Sequence, residues 1–163
     1  MDEINDLTKF QKKVSEKGKL IRTVSYDLEA LQSNTNALGA QVMLIDSEGK
    51  SQFFLQLTRE GELEDEYDIA AIAEEDLKKL EKALADMKKA SQIDVYVNAD
   101  HIQNIYATDD YFTIGYFVLD AALTWFIGFD EMSDELDYFE DASSIEKLLT
   151  SAQEKIEEIK TAQ

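Results

Sequence analysis

The sequence predicts an α+β fold built from a pseudo-duplicated α-βββ unit, in the order α-βββ-α-βββ-α, with antiparallel hairpins and helices packed on the sheet. Three observations carry this. Residues 21–57 lie over residues 93–129 without a gap, and their apolar positions agree: Val42 and Leu44 fall on Ile114 and Tyr116, while Phe53, Leu55 and Leu57 fall on Trp125, Ile127 and Phe129. Three further stretches carry apolar residues at helical spacing. Pro is absent and no Gly- or Ser-rich linker parts the halves, so the expectation is one domain over residues 1–163, with repeats at 2–73 and 74–142 and a closing helix at 143–161.

The first helix is expected near residues 2–17, where Ile4, Leu7 and Val14 fall on Leu77, Leu80 and Met87 of a second helix near 74–90. Residues 20–31 follow. Leu20, Val24, Leu28 and Leu31 fit a helix as well, but IDVYV (93–97) overlies their beginning and reads as a strand. In the first hairpin, SEGK (47–50) places a Gly between two runs of strand formers and marks the turn. The closing helix is marked by Ile145, Leu148, Leu149, Ala152, Ile156 and Ile159, with Ser143 and Glu146 at capping-box spacing.

The run YFTIGYFVLDAALTWFIGF (111–129) needs separate treatment, since it is almost long enough to span a membrane. Asp120 stands at its middle, where a charge costs about 2.5–3.5 kcal/mol, and its flanks are acidic rather than basic. Tyr, Phe, Thr, Ile, Val and Trp dominate it, so strands are favoured over a buried helix. It therefore reads as the second hairpin, with LDAA (119–122) as its turn. Pairing across that turn puts Ile114, Tyr116, Trp125 and Ile127 on the core face. The reverse face then shows Thr113, Gly115, Phe126 and Gly128, with Phe117 nearby. It is more apolar than its first-hairpin counterpart of Gln41, Met43, Phe54 and Gln56. Phe126 is placed to cover Gly115, and Phe117 with Phe126 forms a candidate apolar interface.

Charge is the other unusual feature. The chain of 163 residues carries a net charge of −19 and no Cys, which excludes disulfides and thiolate metal sites. Residues 59–76 hold nine acids against one base, and residues 130–141 hold seven acids and no base. These segments nominate Glu62, Glu64, Asp65, Glu66, Asp68, Asp130, Glu131, Asp134, Glu135 and Asp137 as an acidic binding surface. Nucleic acid and anionic membranes would be repelled by it, whereas a basic protein would be drawn in. Acids ahead of a helix N-terminus also gain about 0.3–1 kcal/mol each from the helix dipole, and solubility accounts for others. No Ca²⁺ loop fits: counting from Asp130, Glu135 stands where the sixth-position Gly belongs, and Met132 occupies a ligand position.

Catalytic signals are sparse. The single histidine, His101, adjoins Asp100, but neighbours on a strand point to opposite faces. Phosphate loops, nucleophile elbows and HExxH are absent. A non-catalytic acidic protein-binding module is the leading expectation, with no metal or cofactor, a cytoplasmic address, and a monomer or homodimer as its state. The alternatives are a toxin-immunity protein, a nucleic-acid mimic, or a small enzyme using a carboxylate site or His101. In element order and charge the chain resembles small acidic chaperones of the type III secretion class. That resemblance implies helices on a twisted sheet, dimerisation, and a secreted protein client.

Overall fold

The computed structural model describes residues 7–60, 67–129 and 136–162. Among the described residues the strands form two four-stranded antiparallel sheets, accompanied by three helices. The first sheet is a meander of β1 (Ile21–Gln32), β2 (Ala37–Ser47), β3 (Lys50–Glu60) and β4 (Tyr67–Ala73). The second repeats that order with β5 (His101–Ala107), β6 (Thr113–Leu119), β7 (Ala122–Gly128) and β8 (Leu136–Phe139). The helices are α1 (Lys9–Val14), α2 (Glu74–Asp94) and α3 (Ser143–Ala162).

Both central hairpins have the expected register. Val42 faces Leu55 and Leu44 faces Phe53, while Ile114 faces Ile127 and Tyr116 faces Trp125. Both turns are two residues long. Glu48 and Gly49 adopt φ of 47° and 88°, and Asp120 and Ala121 adopt 52° and 64°, the left-handed pair whose twist matches that of the flanking strands. Asp120 is thus a turn residue.

Three expectations are corrected. Each sheet has a fourth strand, β4 or β8, inside a segment that charge alone had marked as acidic. IDVYV is not a strand: α2 runs on to Asp94, and amide bonds from Val95 to Ser91 and from Tyr96 to Ile93 tighten its last turn. The strand that matches β1 starts at His101, so residues 28–40 of the long first hairpin are replaced by residues 108–112 in the second. The first helix is short. Thr8 caps it reciprocally with Gln11, Val14 stays exposed, and Phe10 is the anchor. Ile4 lies outside the described residues.

The main core lies between the inner faces of both sheets and the apolar stripes of α2 and α3. Leu77, Leu80, Leu84 and Met87 face it from α2, and the six residues expected on α3 are all buried. The two helices run antiparallel, since Lys88 pairs with Glu146 at one end (2.6 Å) and Lys160 with Glu74 at the other (2.5 Å). Ser143 does not form its expected capping box. It sits inside the helix, and its hydroxyl and then its amide (2.8 Å) both donate to Asp141, bonds that hold the Asp141 carboxyl below its ordinary range. A second, smaller cluster lies behind the first sheet, where Phe10 of α1 meets Phe54 edge-on at 5.2 Å over Met43, Ile45 and Ala73.

Between α2 and α3, Glu81 is partly buried, and burial raises its pKa against the lowering influence of Gln153. One Glu81 oxygen and the Gln153 amide nitrogen are buried without a well-formed hydrogen bond. A raised folded-state pKa contributes stability below the ordinary glutamate range and loses it as pH rises through the shifted value. Glu81→Gln should therefore melt higher than the parent near neutral pH. The gap should close in acid, where both side chains are neutral, as thermal melts at the two pH values would show.

Candidate protein-binding face

Alternation along β5 to β8 sends one set of side chains into the core and leaves the other on the outer face of the second sheet. The register places Gly115, Phe126 and Tyr138 in one row across that face, with Ile105 at its β5 end. Phe117 lies one row away, opposite Thr124. A Cβ on Gly115 would fall 2.9 Å from the Phe126 ring, so the ring occupies the space the glycine leaves. Phe117 has Phe126, Tyr138 and His101 as ring neighbours, each at 6.2 Å and each from the same sheet. Phe126 is buried, Phe117 and Tyr138 are half-buried, and Ile105 (54%) and Leu119 (48%) stand exposed at the rim.

None of the described helices covers this face. The apolar stripes of α2 and α3 enter the core on the other side, and α1 lies on the first sheet. The comparison between sheets is direct. Met43, Ile45, Phe54 and Ala73, the residues roofed by α1, occupy the register positions held in the second sheet by Gly115, Phe117, Phe126 and Tyr138.

The segment that forms the second sheet is poor in cations, and the lysine that reaches it, Lys9 of α1, stands 3.7 Å from Asp109. From Ala90 to Glu146 the chain contains neither Lys nor Arg. His101, exposed at the start of β5, is the sole basic side chain in that stretch and packs beside Phe117. The first sheet's cover is of opposite sign: Lys9 of α1 reaches the buried Asp76 (2.8 Å) and Glu75 (3.0 Å) at the N-terminus of α2. Burial works against the Lys9 charge, but hydrogen bonds to these two carboxylates outweigh it and raise its pKa.

Of the ten acids expected on a binding surface, Glu62, Glu64, Asp65, Glu66, Asp130, Glu131, Asp134 and Glu135 lie outside the described residues. Asp68 is half exposed and bound to Arg59 through both Nε (3.3 Å) and Nη2 (3.0 Å). Asp137 is fully buried, so it is not offered to an outside partner. It stands on β8 opposite Ile127, the register position that Ile72 occupies opposite Leu55 in the first sheet. The reason a carboxylate can replace isoleucine there is Arg59, which crosses from the first sheet to meet it at 2.5 Å. Asn36 donates to its other oxygen at 3.0 Å, and the Asn34 amide reaches the Tyr138 carbonyl at 2.8 Å. The guanidinium also lies 4.6 Å over the Phe129 ring. Burial opposes its charge, yet Asp68 and Asp137 together raise its pKa. These bonds form a polar clasp between the sheets.

Elsewhere Tyr116 donates to Asp94 at 2.5 Å, and burial followed by that carboxylate raises its pKa. A groove of about 200 Å³ lies between β1 and α3, lined by Leu28, Leu31, Ser144 and Leu148 and flanked by the exposed Lys147–Glu29 pair. Among the described residues no three His, Cys, Asp or Glu side chains gather as metal ligands, and no helix is long and apolar enough to cross a membrane. Similarity searches across protein families, curated proteins and solved structures find no match to the chain.

Proposed function

We propose that the chain is a non-catalytic protein-binding module. The outer face of the second sheet makes the short-range contact, and the acidic segments 59–76 and 130–141 draw a basic protein partner towards it. One observation carries the reading: an apolar row of Ile105, Phe126 and Tyr138 beside Phe117 has no described helix over it, while the matching row of the first sheet is roofed. Within that face Ile105 is exposed and Phe117 and Tyr138 are half-buried, and apolar surface left in water is costly and marks contact sites. The two halves are read as diverged copies of one unit, one keeping an internal cover and the other taking an external one.

Steering and holding separate experimentally. Neutralising Glu64, Asp65, Glu66, Asp134 and Glu135 should slow association several-fold at low salt, with the difference fading as the Debye length shrinks to about 8 Å. Replacing the exposed Ile105 by Ser together with Phe117→Ser should instead speed dissociation. Surface plasmon resonance against a partner recovered at low salt measures both rates. Unchanged kinetics in both variant sets would refute the proposal.

A further inference from the structure

We infer that the occupant of the second sheet's outer face is a Lys- or Arg-rich amphipathic helix of a partner protein, lying over Phe126 and Phe117 as α1 lies over Phe54. This rests on the protein-binding reading above and names the element that binds. Two independent observations select it. The first is the internal precedent, in which the same register positions of the first sheet take a helix with an aromatic anchor, Phe10 against Phe54 at 5.2 Å. The second is charge complementarity. The covering helix α1 is KFQKKV, with Lys12 and Lys13 in its last turn, and its Lys9 is held by carboxylates beside the covered face.

Acids flank the strands of the second sheet, and Lys9 of α1 reaches those of the β5–β6 connection, with its Nζ 3.7 Å from Asp109 and its amide donating to Asp110 at 3.0 Å. No Lys or Arg occurs from Ala90 to Glu146, whereas Asp100, Asp120 and Glu140 follow or precede strands of this sheet. An acidic helix would meet like charge. A second copy of this outer face would set strands without Lys or Arg against each other, so self-association is the less favoured occupant. The row also differs in shape from its counterpart: Gly115 replaces Met43, and Tyr138 replaces Ala73. Because the Phe126 ring fills the space at Gly115, a docking helix would meet the half-buried rings of Phe117 and Tyr138 and the exposed Ile105 rather than a hollow.

The test uses the full chain, ¹⁵N-labelled, and three synthetic peptides of about four helical turns. One is amphipathic with Lys on its polar face and Leu and Phe on the other. The second keeps the apolar positions and replaces Lys by Glu. The third has the composition of the first, scrambled to destroy the apolar stripe. The expected result is that the first peptide gains helicity and shifts the amides of Gly115, Phe117, Thr124 and Phe126. It should bind at least tenfold more tightly than either control, and Ile105→Ser should remove about that factor.

Equal binding of the scrambled peptide, or shifts centred away from β5 to β8, would overturn the helix assignment. Concentration-dependent dimerisation abolished by Ile105→Ser would overturn it in favour of a second copy. If the first peptide fails while Ile105→Ser with Phe117→Ser still releases the native partner, the binding face stands and its helical occupant is wrong. If those variants change neither peptide nor partner binding, both proposals fall.

Discussion

Arg59→Met is expected to lower the unfolding free energy by about 3–5 kcal/mol, because it leaves the fully buried Asp137 without its cation. Against a typical total of about 5–15 kcal/mol, that is a large share of the stability of the chain. Asp137→Leu should cost less. The guanidinium it abandons keeps Asp68, which is half exposed and holds it through two nitrogens, as well as the Phe129 ring. The double variant should recover much of the loss, since a buried ion pair exchanged for apolar groups of similar volume is often neutral. Urea unfolding of the four proteins gives the coupling energy directly. A coupling near zero would mean that Arg59 and Asp137 do not depend on each other, and the clasp would lose its meaning as a device joining the sheets.

Gly115→Ala should destabilise by about 1–3 kcal/mol, the usual range for overpacking, with Gly115→Val worse. The new Cβ would stand 2.6 Å from the Asn104 carbonyl oxygen, 2.8 Å from Ile105 and 2.9 Å from Phe126. A backbone oxygen cannot step aside without spreading β5 from β6, and a ring buried in its row has little room to swing. Gly39 is the useful control, because the nearest atom to its added Cβ is the Thr58 hydroxyl, a side chain that can turn. Gly39→Ala should therefore cost clearly less. Each kcal/mol corresponds to roughly 2–4 °C in melting temperature for a chain of this size. Equal losses at the two glycines would argue against the Phe126 cover.

What could be read from residues alone was the part governed by short-range pattern. The two central hairpins, their turns and the buried stripe of α3 follow from alternation, turn chemistry and helical spacing, and the register agrees residue by residue. The ambiguity at residues 20–31 has a physical source. A bulge between Leu28 and Leu31 switches which parity faces the core, so β1 carries the partly buried Val24 and Leu28 and the buried Leu31 at a spacing that also suits a helix. Strands β4 and β8 were hidden by acids: Asp68 and Asp137 sit at inward positions where pattern reading expects an apolar residue. Their tolerance depends on Arg59, which lies 78 positions from Asp137 and whose role no local window reveals. Of the binding face, Phe117 and Phe126 were visible as an apolar pair. The absence of a described helix above them, and the presence of α1 over their counterparts, needed three dimensions.

The clasp also bears on how the chain is made. Ribosomes add about 5–20 residues per second, so Asp137 is joined to the chain roughly 4–16 s after Arg59. Loop closure and hairpin formation take microseconds or less, leaving the first sheet ample time to assemble while its final buried counter-charge does not yet exist. During that interval the guanidinium has Asp68 beside it but not yet Asp137. The polar seam that joins the two sheets can therefore close only after the second half has been made.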